Sequence, residues 1–249
     1  MISSPDLWLP APELLLLGDD EVHIWRACLN QEPALVQIFL DTLTPDERQR
    51  ASRFHFQKDR DHFILARGLL RFILSRYLKT SPEIIRFAYN PYGKPAIAEG
   101  TSDESLRFNV SHSRGVALYA VTRGREVGLD IESISEKFAS LEIAARFFSP
   151  REIEMLQALP KSLQTRAFFN CWTRKEAYIK ALGEGLSHPL DSFSVSLAPG
   201  ETPTLLSSED DPLETSRWSL LEVVPGEGYV AALAIERPAP VLRCWQWEK

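Results

Sequence analysis

The chain has 249 residues, of which 44% are hydrophobic and 25% are charged, and its formal net charge is −6. This composition is typical of a globular protein with a sizeable core, and the negative charge argues against a general nucleic-acid binder. The first 12 residues carry no basic residue, and the apolar run at 14–17 is far too short to span a bilayer, so we expect neither secretion nor membrane insertion.

The pattern of polar and apolar residues predicts strands and helices in both halves of the chain. The elements predicted for the first half are a strand at 22–28, a helix with Thr44 as N-cap, a long helix at 58–79, a turn at 90–95, and strands at 107–110 and 115–122 joined through 111–114. Those predicted for the second half are a strand at 127–132, helices at 141–148, 151–159 and 162–182, a solvated loop at 199–212, and strands at 193–197, 218–224, 229–236 and 241–247.

Each half therefore contains strands and one long helix. We predict an α+β fold of two pseudo-symmetric lobes, residues 1–125 and 126–249, each a small, mostly antiparallel sheet with a long helix. The active site is expected between the lobes.

The cysteines indicate the redox environment. Cys28, Cys171 and Cys244 are widely spaced and form no C-x-x-C pair. We interpret them as reduced thiols of a cytoplasmic protein rather than as disulfides or zinc ligands.

The strand at 127–132 carries two carboxylates. Apolar side chains alternate there with Gly128, Asp130 and Glu132. Both acids therefore point from the same face, about 7 Å apart at the backbone. Acids this close repel, and one of them keeps a proton unless a cation lies between them. The alternative is a pair of solvated acids on an edge strand.

The helix at 162–182 presents a third carboxylate, Glu176, one turn from Lys180. Such a pair suits a hard divalent ion that carries a phosphate. Taken alone, however, it is better explained as an ordinary surface ion pair worth about 0.3–0.5 kcal/mol. Lys175 falls in the apolar stripe of the same helix. It either extends its charged end to the surface or pairs with a carboxylate or phosphate at the site.

Basic residues lie outside these acidic segments, as a polyphosphate ligand would require. They include His112 between two serines, Lys94 in the turn at 90–95, and a stripe of Arg60, Arg67 and Arg71 on the first long helix. Each has a plain alternative, a turn imidazole bonded to backbone or a solvated charge. The sequence contains no P-loop, no H-E-x-x-H and no G-x-S-x-G, and Gly183-x-Gly185 follows a helix, the wrong context for a dinucleotide fold.

Taken together, these segments resemble the 4'-phosphopantetheinyl transferases of the Sfp type, in the branch with a tryptophan/Lys-Glu-Ala motif. The resemblance covers roughly residues 43–195, and its motifs are specific in combination. The matching segments, in order, are 63–71, Tyr-Gly-Lys-Pro at 92–95, Phe-Asn-Val-Ser-His-Ser at 108–113, Gly-Leu-Asp-Ile-Glu at 128–132, 147–152, and 172–186 with its Trp-x-x-Lys-Glu-Ala-x-x-Lys block.

The resemblance implies transfer of the 4'-phosphopantetheine arm of coenzyme A to a serine of an acyl or peptidyl carrier protein, releasing 3',5'-ADP. It implies that Asp130, Glu132 and Glu176 hold Mg²⁺ and that Lys180 steadies the α-phosphate. We further assign Glu176 as the base that activates the serine.

The remaining coenzyme A contacts are carried over by position. Ser111, His112 and Lys94 match residues near the phosphates or the adenine end, and Arg50 and Arg67 match basic positions near the 3'-phosphate. Lys175 and Lys180 complete the predicted set. Glu47 is a departure, because a well-known member has a lysine there.

The carrier protein is expected to dock on residues 133–151, although 141–148 is at least as well explained as an ordinary amphipathic core helix. The enzyme is expected to be a monomer. An alternative is a metal-dependent phosphodiester hydrolase, in which water replaces the serine. Another is a non-catalytic coenzyme A or carrier-binding module.

Overall fold

The structure, a computed structural model, describes residues 8–100 and 103–248 and contains helices and strands in both halves. The first half contains β1 (Leu9–Pro10), β2 (Glu21–Cys28), α1 (Pro33–Thr42), α2 (Pro45–Ser52), α3 (Gln57–Leu78), a 3₁₀ turn (Pro82–Ile84), β3 (Phe87–Tyr89), β4 (Pro95–Ile97), β5 (Leu106–Ser113) and β6 (Val116–Arg123). The second half contains β7 (Val127–Ser133), α4 (Leu141–Phe147), α5 (Pro150–Ala158), α6 (Lys161–Leu182), 3₁₀ turns (Gly185–Ser187 and Leu190–Ser192), β8 (Phe193–Val195), β9 (Leu205–Ser208), α7 (Glu214–Arg217), β10 (Trp218–Val223), β11 (Tyr229–Glu236) and β12 (Val241–Gln246).

Local sequence signals determine where several helices begin and end. At the start of α2, the Glu47 carboxylate accepts the Thr44 N–H at 3.0 Å. At the start of α5, Ser149 and Glu152 satisfy each other's backbone N–H groups in a capping box. Helix α6 ends at Gly183, whose φ of 80° is the left-handed conformation that glycine adopts without strain. No helix in residues 8–100 and 103–248 combines the length and apolarity needed to cross a membrane.

Two sheets form the centre of the fold. One has five strands in the order β1-β12-β2-β6-β5, and the other has three in the order β10-β11-β7. The three-stranded sheet is antiparallel throughout, and so are the β2-β6-β5 pairings. β12 pairs in parallel with β2 and with β1. Strands β2, β6 and β5 of the first lobe thus pair antiparallel, as predicted, and both parallel pairings involve β12.

The last strand corrects the predicted second lobe. β12 lies within 126–249 but joins the sheet built by the first half. Leu242 and Cys244 pack against the core between the sheets, while Trp245 packs against the core on the other face. A strand with apolar side chains on both faces needs a position covered on both sides, and the first sheet provides one. The division at residue 125 otherwise stays a prediction.

The core has three parts, arranged as layers. Helix α3 covers the outer face of the first sheet, α6 packs on the second, and an apolar cluster lies between the sheets. That middle cluster contains Val22, Ile24, Leu118, Ala120, Val127, Leu129, Ile131, Val223, Ala231, Leu233 and Ile235. Because side chains alternate along a strand, the other face of β7 turns toward α6. The acids of β7 lie on that face.

Some elements differ from the sequence prediction. β5 continues to Ser113, so Ser111 and His112 lie on a strand rather than in the link between strands. The reason is a two-residue hairpin turn in which Arg114 and Gly115 both have positive φ. This tight turn allows β5 and β6 to stay paired up to Ser113 and Val116. The predicted loop at 199–212 contains β9, and the sequence prediction missed α1 and the β3–β4 hairpin.

Candidate active site

The close approach of β7 to α6 positions the acidic residues. A Cβ built on Gly128 would lie 2.0 Å from the Ala177 carbonyl oxygen and 2.3 Å from the Ala181 nitrogen. Only a residue without a Cβ permits this contact. Asp130, two residues further along β7, faces the helix that carries Glu176.

Asp130 is the most buried acid of this group, with 3% of its surface exposed. Its Oδ1 atom accepts hydrogen bonds from Lys180 Nζ at 2.5 Å and from Ser111 Oγ at 2.8 Å. Its Oδ2 atom is buried and has no hydrogen-bond partner in the part of the chain that the structure describes. A buried carboxylate oxygen without a partner is costly, so Oδ2 marks a place where a cation would stabilise the site.

The other two acids have raised pKa values. Burial, followed by the negative charge of Asp130, raises the pKa of Glu132. The same two causes raise the pKa of Glu176 to about 7, although Lys180 opposes the shift. Neighbouring carboxylates disfavour each other's ionisation, and a divalent cation between them would remove that penalty.

These side chains line one open cleft of about 360 Å³. Its lining residues, drawn from β5, β7 and α6, are Val110, Ser111, His112, Asp130, Glu132, Trp172, Glu176 and Lys180. The structure thus brings six of the predicted site residues together. Desolvation by the surrounding protein, followed by the positive charge of Lys180, lowers the pKa of His112, although the residue as a whole is exposed.

Lys94 lies at a second, adjoining cleft of about 220 Å³ that shares Val110 and Lys180 with the first. Its ammonium donates hydrogen bonds to Glu126 Oε2 at 2.7 Å and to the Ala181 carbonyl oxygen at 2.9 Å. The second bond satisfies a carbonyl at the C-terminal end of α6. Lys94 therefore ties the turn at 90–95 to this helix, and its charge is already paired.

Arg50 and Arg67 line neither cleft. Arg67 is 11% exposed and donates from Nε to Glu47 Oε1 at 2.7 Å, while Arg71 binds the other oxygen of Glu47. Glu47 is thus the buried partner of two arginines, which gives a structural reason for an acid at this position. Arg50 is exposed, with its guanidinium 5.4 Å from the centre of the Phe63 ring.

The assignment of Lys175 to coenzyme binding needs correction. Lys175 is 1% exposed, and its Nζ donates to Glu152 Oε1 at 2.7 Å and to the Phe193 carbonyl oxygen at 2.6 Å. Glu152 Oε1 also accepts the Val195 N–H at 2.7 Å. The lysine does pair with a carboxylate, but inside the core between α5, α6 and β8. We remove it from the candidate site.

Asp130, Glu132 and Glu176, as they are placed in the structure, do not form a complete metal-binding group. In the described residues, no three histidine, cysteine, aspartate or glutamate side chains are arranged to hold a metal ion. Lys180 instead supplies the positive charge beside Asp130. The donors nevertheless fit a hard divalent ion, because carboxylate oxygens are the ligands such ions prefer and Asp130 Oδ2 has no other partner.

Sequence analysis missed two residues of this site. Ser113 donates from Oγ to Glu132 Oε2 at 2.9 Å, and the alternation of Asn109, Ser111 and Ser113 along β5 is the signal that could have identified it. Trp172 was predicted as the first residue of the Trp-x-x-Lys-Glu-Ala-x-x-Lys block but was given no place in the site, and it lines the cleft.

Comparisons with known proteins cover most of the chain. Residues 126–234 match the family described as the 4'-phosphopantetheinyl transferase superfamily, and residues 25–123 match the family described as 4'-phosphopantetheinyl transferase, N-terminal. The 4'-phosphopantetheinyl transferase HetI of Nostoc sp. is 41% identical over 92% of this chain and 93% of its own length. The 4'-phosphopantetheinyl transferase Sfp of Bacillus subtilis is 40% identical over 64% of this chain and 68% of its own length.

Among solved structures, a likeness is found to the holo-[acyl-carrier-protein] synthase of Helicobacter pylori in complex with coenzyme A. It is 26% identical, covers 45% of this chain and 99% of that chain, and has a TM-score of 0.33. At this score the likeness carries no structural argument. The sequence relatives do support an assignment to a family, because the match to HetI covers nearly the whole length of both chains.

Proposed function

This chain belongs to the 4'-phosphopantetheinyl transferase family, and we propose that it transfers the 4'-phosphopantetheine arm of coenzyme A to a serine of a carrier protein with the help of Mg²⁺. The products are the holo-carrier protein and 3',5'-ADP. The observation that carries the proposed mechanism is the cleft in which Asp130, Glu132, Glu176 and Lys180 meet.

Mg²⁺ would be held by Asp130, Glu132 and Glu176. When bound, it supplies positive charge that neutralises the pyrophosphate of coenzyme A. The unpartnered Oδ2 atom of Asp130 and the raised pKa values of the other two acids support this set, since each is relieved by a cation.

Glu176 is the proposed base. A serine hydroxyl is a poor nucleophile at neutral pH and needs a proton acceptor within hydrogen-bond reach. The Glu176 carboxylate lines the cleft and, once deprotonated, can accept that proton. Glu176 takes the proton of the carrier serine directly or through one water molecule as the serine oxygen attacks the β-phosphorus.

Lys180 is the proposed stabiliser of the leaving group. The Lys180 side chain is 28% exposed, and its ammonium donates hydrogen bonds to Asp130 and Ser111. With a divalent ion beside Asp130, the ammonium is free to bind the α-phosphate oxygens, whose negative charge grows as the pyrophosphate bond breaks.

Coenzyme A is proposed to extend from this cleft toward the turn at 90–95. Ser111 and His112, which line the first cleft, are proposed for its pyrophosphate, and Lys94, at the adjoining cleft, is proposed for its adenine end. Arg50 and Arg67 are proposed for the 3'-phosphate. Arg67 must then exchange part of its contact with the carboxylate of Glu47 for the phosphate.

The carrier protein is proposed to dock on residues 133–151. Phe138 and Leu141 are 41% and 49% exposed there, and Lys137 and Arg146 are exposed beside them. Exposed apolar side chains flanked by basic ones suit the acidic helix that carrier domains present beside their serine.

The cellular setting is also a proposal. We place the enzyme in the cytoplasm, as a monomer that serves fatty-acid, polyketide or nonribosomal-peptide synthesis. The free state of Cys28, Cys171 and Cys244 supports a reducing compartment.

Mass spectrometry of an apo-carrier protein incubated with coenzyme A, Mg²⁺ and the enzyme tests the function. Transfer adds the phosphopantetheine arm to the carrier. A phosphodiester hydrolase would consume coenzyme A and leave the carrier unchanged, and a binding module would do neither. Glu176→Gln should abolish the mass increase while coenzyme A affinity stays within about tenfold; loss of binding instead would make Glu176 a metal anchor only.

A further inference from the structure

The two sheets meet along a seam that is bridged by side chains. β5 is the edge of the first sheet and β7 is the edge of the second, and they belong to separate ladders. Three side chains of β5 accept the backbone N–H groups that β7 leaves free at its edge. The pairs are Leu129 N–H with Asn109 Oδ1 at 3.0 Å, Ile131 N–H with Ser111 Oγ at 3.3 Å, and Ser133 N–H with Ser113 Oγ at 3.1 Å.

The two serines of the seam also contact the acids of the cleft. Ser111 Oγ donates to Asp130 Oδ1 at 2.8 Å, and Ser113 Oγ donates to Glu132 Oε2 at 2.9 Å. A serine hydroxyl has one hydrogen to donate. In each case that hydrogen goes to a carboxylate, while the oxygen accepts a backbone N–H of the strand carrying the same carboxylate. Each serine therefore fixes a carboxyl group relative to its own backbone.

The equivalent contact at Asn109 does not reach an acid. Its side-chain oxygen accepts the Leu129 N–H, and the neighbouring β7 residue on the acidic face is Gly128, which has no side chain. Asn109 therefore bridges the strands without orienting a carboxylate. The seam thus contains its own internal comparison between a purely bridging residue and one that also binds an acid.

Ser113 differs from Ser111 in that the carboxylate it binds has no second side-chain donor in the described residues. Asp130 has a second donor, because Lys180 Nζ lies 2.5 Å from the same oxygen that Ser111 binds. Glu132 has no ion pair in the described residues, and Ser113 is the side-chain donor to its carboxylate. Glu132 is also only half-buried, so packing alone restrains its side chain less than that of Asp130.

We infer that Ser113 is a positioning residue, whose hydroxyl restrains the Glu132 carboxylate at the cleft where the divalent ion is proposed to bind. This inference rests on the proposed function, in which Glu132 is a ligand. Residues that orient metal ligands typically change metal affinity by about 10–100-fold when they are removed. A serine that only joined two strands would change stability and leave metal affinity alone.

Titration of the purified chain with Mn²⁺, followed by electron paramagnetic resonance of the free ion, measures this effect without any catalytic turnover. Ser113→Ala should weaken Mn²⁺ binding by about tenfold or more, and Ser113→Thr, which keeps the hydroxyl, should restore most of it. Asn109→Ala, which removes the matching bridge, should lower the thermal stability about as much as Ser113→Ala but leave the Mn²⁺ affinity within about twofold.

Asp130→Ala separates the possible failures. If Asp130→Ala abolishes Mn²⁺ binding while Ser113→Ala binds like the wild type, the role of Ser113 is overturned and the proposed function stands. If the wild type and Asp130→Ala bind Mn²⁺ alike, the ion does not use these acids, and both the role of Ser113 and the proposed metal site are overturned, whereas the transfer activity is tested separately by mass spectrometry of the carrier protein. Equal weakening in Asn109→Ala and Ser113→Ala would also overturn the positioning role, because it would reduce the effect to strand bridging.

Discussion

Replacement of Gly128 by alanine should separate the two elements that carry the acids. The added Cβ would lie 2.0 Å from the Ala177 carbonyl oxygen, whereas ordinary van der Waals contact begins at 3.4 Å. The Ala177 oxygen and the Ala181 nitrogen, the two nearest atoms, belong to the backbone of α6, so no side chain can move aside to relieve the clash. We expect the helix to retreat from β7 by about 1 Å or more, at a cost of about 1–3 kcal/mol.

This shift of the helix should cause a large loss of kcat/KM and only a modest loss of thermal stability. Glu176 and Lys180 directly precede the two contact residues of α6, Ala177 and Ala181. The shift of the helix therefore moves both side chains away from the acids of β7. A misplacement of about 1 Å in a catalytic site can cost about 100-fold in rate. Gly128→Ala should therefore lower kcat/KM for carrier modification by about 100-fold, while the melting temperature falls by about 2–4 °C for each kcal/mol lost.

A matched glycine variant separates misplacement from destabilisation. Gly200 lies in the loop before β9 with a φ of +82°, and a Cβ built there meets nothing within 4 Å. Gly200→Ala should cost about 1–2 kcal/mol through backbone strain alone and leave kcat/KM unchanged. Wild-type kcat/KM in Gly128→Ala would refute the reasoning, as would an equal loss in both variants at a temperature where both are folded.

Three further predictions follow from the contacts described above. Lys175→Met should lower the free energy of unfolding in urea by about 3–5 kcal/mol, because it leaves the Glu152 carboxylate buried without its ion pair; a loss below about 1 kcal/mol would contradict the pair's structural importance. Glu176 must lose its proton to bind a cation, and its pKa is raised to about 7, so Mg²⁺ affinity measured by calorimetry should rise with pH up to 7 and level off above it. Glu176→Gln should flatten that rise, and an unchanged slope would exclude Glu176 as its source. Arg146→Glu, or Arg151→Glu at the exposed start of α5, should raise the KM for the carrier protein with kcat nearly constant, and an unchanged KM would rule out docking on this surface.

The sequence predicted the residues of the cleft more completely than their roles. Alternation at 127–132 correctly placed Asp130 and Glu132 on one face of a strand, because period-two patterning depends only on which face is buried. The end of α6 at Gly183 followed from the helix-stop signal. These are local rules, and they hold without knowledge of the partner elements.

What the sequence could not give depends on contacts between distant segments. The partner of Lys175 is Glu152, 23 residues away on another helix, and the helical pattern alone did not distinguish a buried ion pair from a phosphate contact. The parallel position of β12 in the first sheet similarly required the pairing with β2. The hydroxyl of Ser113 was overlooked because its partner, Glu132, lies on a neighbouring strand of the other sheet.

The most direct test of the central claim is the location of the divalent ion. Crystals grown with Mn²⁺ and coenzyme A, measured for anomalous scattering, should show one ion within about 2.2 Å of carboxylate oxygens from Asp130, Glu132 and Glu176. An ion that contacts the acids of β7 but not Glu176, or that lies outside this cleft, would contradict the account.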